Sequence, residues 1–113
     1  MTKTNIKGLP PDRNYFTAVG YTQRYPWVEV GRTRRTVILA KVDVKPDPDW
    51  EAKRHFTPGG FCGHCDNQNE QTWLFDRINL GRVLRVRATK IGWAHRGFRF
   101  VEGEATEFYD YNF

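Results

Sequence analysis

Residues 56–73, FTPGGFCGHCDNQNEQTW, hold both cysteines of the chain, at Cys62 and Cys65, with His64 between them. Three chemistries are open to such a cluster. A dithiol redox centre needs a thiolate stabilised at a helix N-terminus, with an apolar strand leading into it. It also needs a cis-proline from later in the chain. Here FTPGG leads in as a turn, Pro58 is the last proline, and DNQNEQ is a poor start for a helix. A zinc site is the second reading, with Cys62 and Cys65 at knuckle spacing and His55 and His95 completing four ligands. A second tidy ligand pair is missing, and neighbouring His64 and Cys65 rarely reach one ion together. The third reading is a glycine-shaped polar loop. Gly59, Gly60 and Gly63 permit tight backbone, Asn67 and Gln71 satisfy loop backbone groups, and Cys65 is a small buried hydrophobe. The loop reading is preferred, with His64, Asn67 and Gln71 presented toward a ligand. Catalysis is not expected, because no motif for a hydrolase, metalloprotease or deaminase is present. No cofactor is expected either, zinc being the alternative.

A second cluster is electrostatic. Residues 77–101 carry seven Lys/Arg and no acid, whereas residues 102–113 carry four acids and no base. The basic stretch interleaves Arg85, Arg87 and Arg96 with Trp93, Phe98 and Phe100. Arginines on the outer face of a strand pair track phosphates, and aromatic rings stack on bases. Arg85, Arg87, Arg96 and Trp93 are therefore candidate contacts to nucleic acid or a nucleotide. The competing reading makes these arginines strand-edge guards, the aromatics core, and the acidic tail an internal neutraliser of the patch.

The elements that must position these groups are short strands. TVILAKVDV, residues 36–44, alternates cleanly: Ile38, Ala40, Val42 and Val44 on one face, Val37, Leu39, Lys41 and Asp43 on the other. Tyr15–Thr22, Trp27–Val30, Gln71–Asp76, Val83–Lys90 and Phe98–Val101 read as further strands. Gly31–Arg34 and Asn79-Leu80-Gly81 read as turns, and KPDPDW ends the clearest strand. Residues 45–70 form a long connection with a helical turn near Trp50–Arg54. No window holds a 3.6-residue period. The pattern predicts an all-β, mainly antiparallel fold, a small SH3-like or OB-like barrel with a long irregular loop. Residues 1–14 form an extended N-terminal arm and 15–113 a single β domain.

At 113 residues and net charge +5, with Phe 8, Tyr 5 and Trp 4 supplying buried area, the chain suits one compact core. No apolar run reaches the length of a membrane span, and MTKTNIKGLPPDRN has no signal-like core. Two cysteines make no disulfide framework, so a reducing cytoplasm is the expected setting and a membrane partner is not expected.

GGFCGHCDNQNEQTW, together with GYTQRYPWVEV, VKPDPDW and the terminal EFYDYNF, resembles a group of small tailed-phage proteins. These share a GGF-x-GHC-x-NQ-x-EQ-x-W segment. The resemblance runs from about Gly20 onward and brings no activity with it. It implies a phage setting and the host-cell cytoplasm. The combined expectation is a phage-type binding module for an anionic ligand, nucleic acid or nucleotide. A protein-binding inhibitor of a host enzyme or defence complex is the alternative, and a metal-bound or weakly catalytic module at His64 and Cys65 is a third.

Overall fold

The computed structural model describes residues 4–58 and 64–112. Its strands are β1 (Ile6–Lys7), β2 (Tyr15–Val19), β3 (Arg24–Arg32), β4 (Thr36–Pro46), β5 (Phe56–Thr57), β6 (His64–Cys65), β7 (Trp73–Thr89), β8 (Gly92–His95) and β9 (Phe98–Glu102). The order β7-β4-β3-β2-β9-β8, closed by pairing of β7 with β8, makes a six-stranded barrel. Every pair in the ring is antiparallel. β1 adds to β7 in parallel, and β5 with β6 forms a separate ribbon. The all-β barrel expected from strand alternation is the observed fold.

Alternation sorts two cores. Phe16, Trp27, Leu39, Val86 and Phe100 come from five strands of the ring and meet in one cluster, so they fill the barrel interior. Their neighbours Tyr15, Val28 and Ala40 point the other way and join Ile6, Trp73 and Ala105 in a second cluster outside the wall. Strands β2 to β4 are therefore buried on both faces, which is why TVILAKVDV is apolar at both alternating positions. Phe16, Val28, Leu39 and Val42 are fully buried, each side chain contributing about 1.5–3 kcal/mol.

The outer layer consists of the N-terminal arm and the C-terminal tail. Ile6 pairs with Trp73, and Lys7 reaches Asp47 at 2.6 Å. Asp47 also caps the four-residue helix α1 (Pro48–Glu51) by accepting from the Asp49 N–H, and it accepts from Thr72 Oγ1 at 2.8 Å. The Lys7 ammonium and these donors hold its carboxyl down at about 2. Charge-assisted bonds favour the ionised form, so this support for the arm is present at neutral pH and is lost as pH falls through that value.

Of two expected turns, one and the first half of the other prove to be bulges. Thr33 and Arg34 do turn, the Thr33 N–H donating to the Thr36 carbonyl at 2.8 Å. Asn79-Leu80-Gly81 lies within the 17-residue β7. Pairing jumps from Ala40↔Val83 to Lys41↔Asn79, so residues 80–82 bow outward. Asn79 Oδ1 accepts from the Gly81 N–H at 3.0 Å, a local bond that closes the bow. Likewise Gly31 and Arg32 belong to β3, with a register shift between Glu29 and Gly31. A Cβ at Gly31 would sit 3.2 Å from Ile38 Cδ1, so the bulge is tight there.

Candidate site at the barrel mouth

A cavity of about 590 Å³ opens at one end of the barrel. Its apolar lining comes from β3, β9 and β7: Tyr25, Trp27, Phe98, Phe100 and Leu84. Trp27 and Phe100 meet edge to face with centroids 6.1 Å apart, and Tyr25 and Phe98 do so at 6.4 Å. Around this aromatic lining stand Lys41, Arg82, His95 and Arg96, and among the described residues no carboxylate lines the space. Size, ring-lined walls and a few convergent polar groups are the usual properties of a small-ligand site.

Each basic group has its own structural reason for being there. Lys41 follows Val37 and Leu39 on the inward alternation of β4 and pairs across from Trp27, so its side chain is carried inside. It is 8% exposed. Among the described residues its ammonium makes one hydrogen bond, to the Val42 carbonyl at 2.6 Å, and no ion pair. Burial pushes its pKa below the ordinary lysine value, with Glu107 and Asp43 pulling the other way. Arg82 stands on the outward bow of β7. Arg96 and Gly97 form the two-residue turn between β8 and β9, both with positive φ, 48° and 82°. The indole N–H of Trp27 is buried and has no acceptor among the described residues. A buried unpaired donor costs about 1–3 kcal/mol. The mouth is thus rich in unused donors and positive charge.

The residues singled out from sequence separate into three places. Arg96 is at the mouth. Arg85 and Arg87 are exposed on the outer wall of β7, opposite Ile38 and Thr36 of β4. Trp93 belongs to the barrel's packing, edge to face with Phe16 at 6.2 Å, beneath the Arg32 guanidinium at 5.3 Å. Its indole N–H donates to Glu102 Oε1 at 3.3 Å, and Glu102 also pairs with Arg32 at 2.9 Å. None of the ion pairs among the described residues joins the acidic tail to Arg85 or Arg87.

His64, Asn67 and Gln71 do not line the cavity. His64 is exposed on the β5–β6 ribbon. Asn67 donates to the Lys53 carbonyl at 2.6 Å and accepts from the His55 N–H at 3.0 Å. Gln71 is buried, and its amide is fully engaged. It donates to the carbonyls of Gln68 and Tyr109, and its oxygen accepts from Trp73 Nε1 and the Tyr109 N–H. These amides pair with the tail as a strand would. Gln68 Oε1 accepts from the Tyr111 N–H, and Asn112 makes two bonds to the Cys65 backbone. The NQ-x-EQ loop and the tail through Asn112 are one hydrogen-bonded unit.

Of the four zinc candidates, Cys62 lies outside the described residues, as do the glycines at 59, 60 and 63. His95 is at the barrel mouth, while His55 flanks the ribbon and Cys65 lies within it at 1% exposure. Among the described residues no three metal-ligating side chains come together. His55 Nδ1 instead lies 2.6 Å from Asp66 Oδ2, which also accepts from Thr57 Oγ1. These two bonds hold the Asp66 carboxyl below its ordinary value.

Sequence reasoning passed over Lys41, Arg82 and Trp27 as ligand contacts. For Lys41 the signal was available: a lysine on the same alternation as Val37 and Leu39 must point inward. Arg82 depended on a bulge that reads as a turn. Compared with protein-family models, with curated proteins and with solved structures, the chain finds no match. Among the described residues no helix is long and apolar enough to cross a membrane.

Proposed function

We propose that the protein is a binding module for an anionic ligand of nucleotide type, held at the barrel mouth with its ring against the aromatic lining and its phosphate among Lys41, Arg82, His95 and Arg96. The observation that carries this reading is the combination of two edge-to-face aromatic pairs with four basic side chains and, among the described residues, no carboxylate in a space of about 590 Å³. A base is planar and stacks on rings, and a phosphate needs several donors at once. Lys41 supplies a buried ammonium with donors to spare, so an anion that reaches it gains a charge-assisted bond in low dielectric. The resemblance to tailed-phage proteins supports, in our reading, a setting in the cytoplasm of an infected cell.

Calorimetry with adenosine monophosphate tests the proposal. Binding is expected in the micromolar to millimolar range, with thermal stabilisation by mass action as ligand is raised. Lys41→Met should weaken binding at least tenfold while keeping or raising the melting temperature, because an apolar chain replaces a poorly solvated charge. Absence of binding at millimolar nucleotide, or unchanged affinity in Lys41→Met, would overturn the reading.

A further inference from the structure

We infer that the nucleotide held at the mouth is one unit of a single-stranded nucleic acid, whose adjoining phosphates run along an arginine track on the outer wall of the barrel. The inference rests on the reading of the cavity given above and extends it from a mononucleotide to a strand. The track follows from register. Val86 and Phe100 face the barrel interior, so Arg87 and Arg99, their chain neighbours, face outward. Both pair with Ala94 of β8, Arg87 from one side and Arg99 from the other, so the two guanidinium groups share one cross-strand row. Arg85 lies two residues from Arg87 on the same outer face, a spacing of about 6.8 Å along an antiparallel strand.

The β7–β8 register runs Thr89↔Gly92, Ala88↔Trp93, Arg87↔Ala94. Beyond Ala94, β8 runs through His95 into the Arg96-Gly97 turn. Arg96 is itself a lining residue of the cavity. The Arg87–Ala94–Arg99 row therefore lies two residues along the chain from Arg96 at the mouth.

Charge complementarity selects the occupant. Arg85, Arg87, Arg96 and Arg99 take part in none of the ion pairs among the described residues, whereas Arg32, Arg77 and Lys7 each have a carboxylate partner. Among the described residues no carboxylate of the acidic tail pairs with these arginines. Glu102 binds Arg32, the Glu104 carbonyl accepts from Thr17 Oγ1, and Ala105 packs in the outer core. Three outward guanidinium groups on β7 and β9, with a fourth at the mouth, suit a repeated anion better than a single phosphate. The cavity offers rings and few base-reading groups, so tolerance for base identity is expected.

The experiment compares adenosine monophosphate with an oligoadenylate of about 12 nucleotides, within the footprint range of single-strand-binding barrels. Fluorescence anisotropy and calorimetry are run on the wild type and on Arg85→Glu/Arg87→Glu across a salt series. The oligomer is expected to bind at least tenfold more tightly than the mononucleotide. The slope of log affinity against log salt should be about −3 for roughly four phosphate contacts on a single strand. The double substitution should bring the oligomer down to mononucleotide affinity and leave mononucleotide binding within about twofold of wild type, which also reports that the variant is folded. Equal affinity for oligomer and mononucleotide, or an oligomer unaffected by the double substitution, overturns the track and leaves the cavity reading standing. Failure of the wild type to bind either probe overturns both.

Discussion

Arg96 occupies a backbone conformation that arginine ordinarily avoids. With Gly97 it forms a turn whose two central residues have φ of 48° and 82°, the pattern of a hairpin turn in which Asn-Gly is the favoured pair. A left-handed conformation costs an ordinary L-residue about 1–2 kcal/mol, and asparagine pays less because its short side chain bonds locally. Keeping arginine there makes physical sense if the guanidinium is needed at the mouth. Arg96→Asn is expected to raise stability by about 1 kcal/mol, a few degrees in melting temperature, while weakening mononucleotide binding severalfold. Thermal melting and calorimetry on the same preparation read both. A variant that loses stability would show that Arg96 serves the fold.

At the scale of elements, the polar loop and the tail act as a substitute for strand pairing. Gln71 presents an acceptor to the Tyr109 N–H at 2.9 Å and a donor to its carbonyl at 3.0 Å, so one side-chain amide does the work of a backbone unit. Removing it strands buried groups, each costing about 1–3 kcal/mol. Gln71→Ala is therefore expected to destabilise the protein by about 2–4 kcal/mol and to open the tail to limited proteolysis between residues 106 and 112. A tail that stays protected would show that the amide is dispensable. The strands themselves were legible, because alternation at 36–44 and at 83–90 separates inward from outward positions directly. The glutamine's partners were not, since side-chain amides can close loops, caps or ligands alike and only the tail's position decides. The bulge at Asn79–Gly81 was misread for a related reason. An Asx bond and a glycine mark reversal of the chain in most settings, and here they mark an outward bow inside a strand whose pairing resumes three residues on.

For the whole molecule, the outer layer decides how stability follows pH. Glu107 is half-buried in the tail, and burial pushes its carboxyl up to about 7, partly opposed by Lys41. Because this value lies above that of a free glutamate, the folded state holds the proton more tightly than the unfolded chain. The stabilisation is complete below the unfolded value, near 4.5, and is lost as pH rises through about 7. Lys41 is shifted downward, so the cost of burying its charge fades only as pH climbs through its own lowered value. Glu107→Gln should raise the melting temperature at about pH 8 and change it little at about pH 5, as followed by thermal melting across that range. Equal effects at both ends would mean that the carboxyl is already solvated.

The layer that covers the barrel is stitched from opposite ends of the chain. Asn5 donates to the Gln71 carbonyl and to the Glu107 carbonyl, and a bridge joins Thr4 to Ala105 in parallel. A ribosome delivers residues in order, so the first strand waits through about a hundred residues of synthesis before its second partner exists. Until then Tyr15, Val28, Ala40 and Val42 present an uncovered apolar wall to everything else in the cell. Completion of the fold thus waits for the tail to be made, and the interval before it is when chaperones, proteases and other copies compete for the same surface.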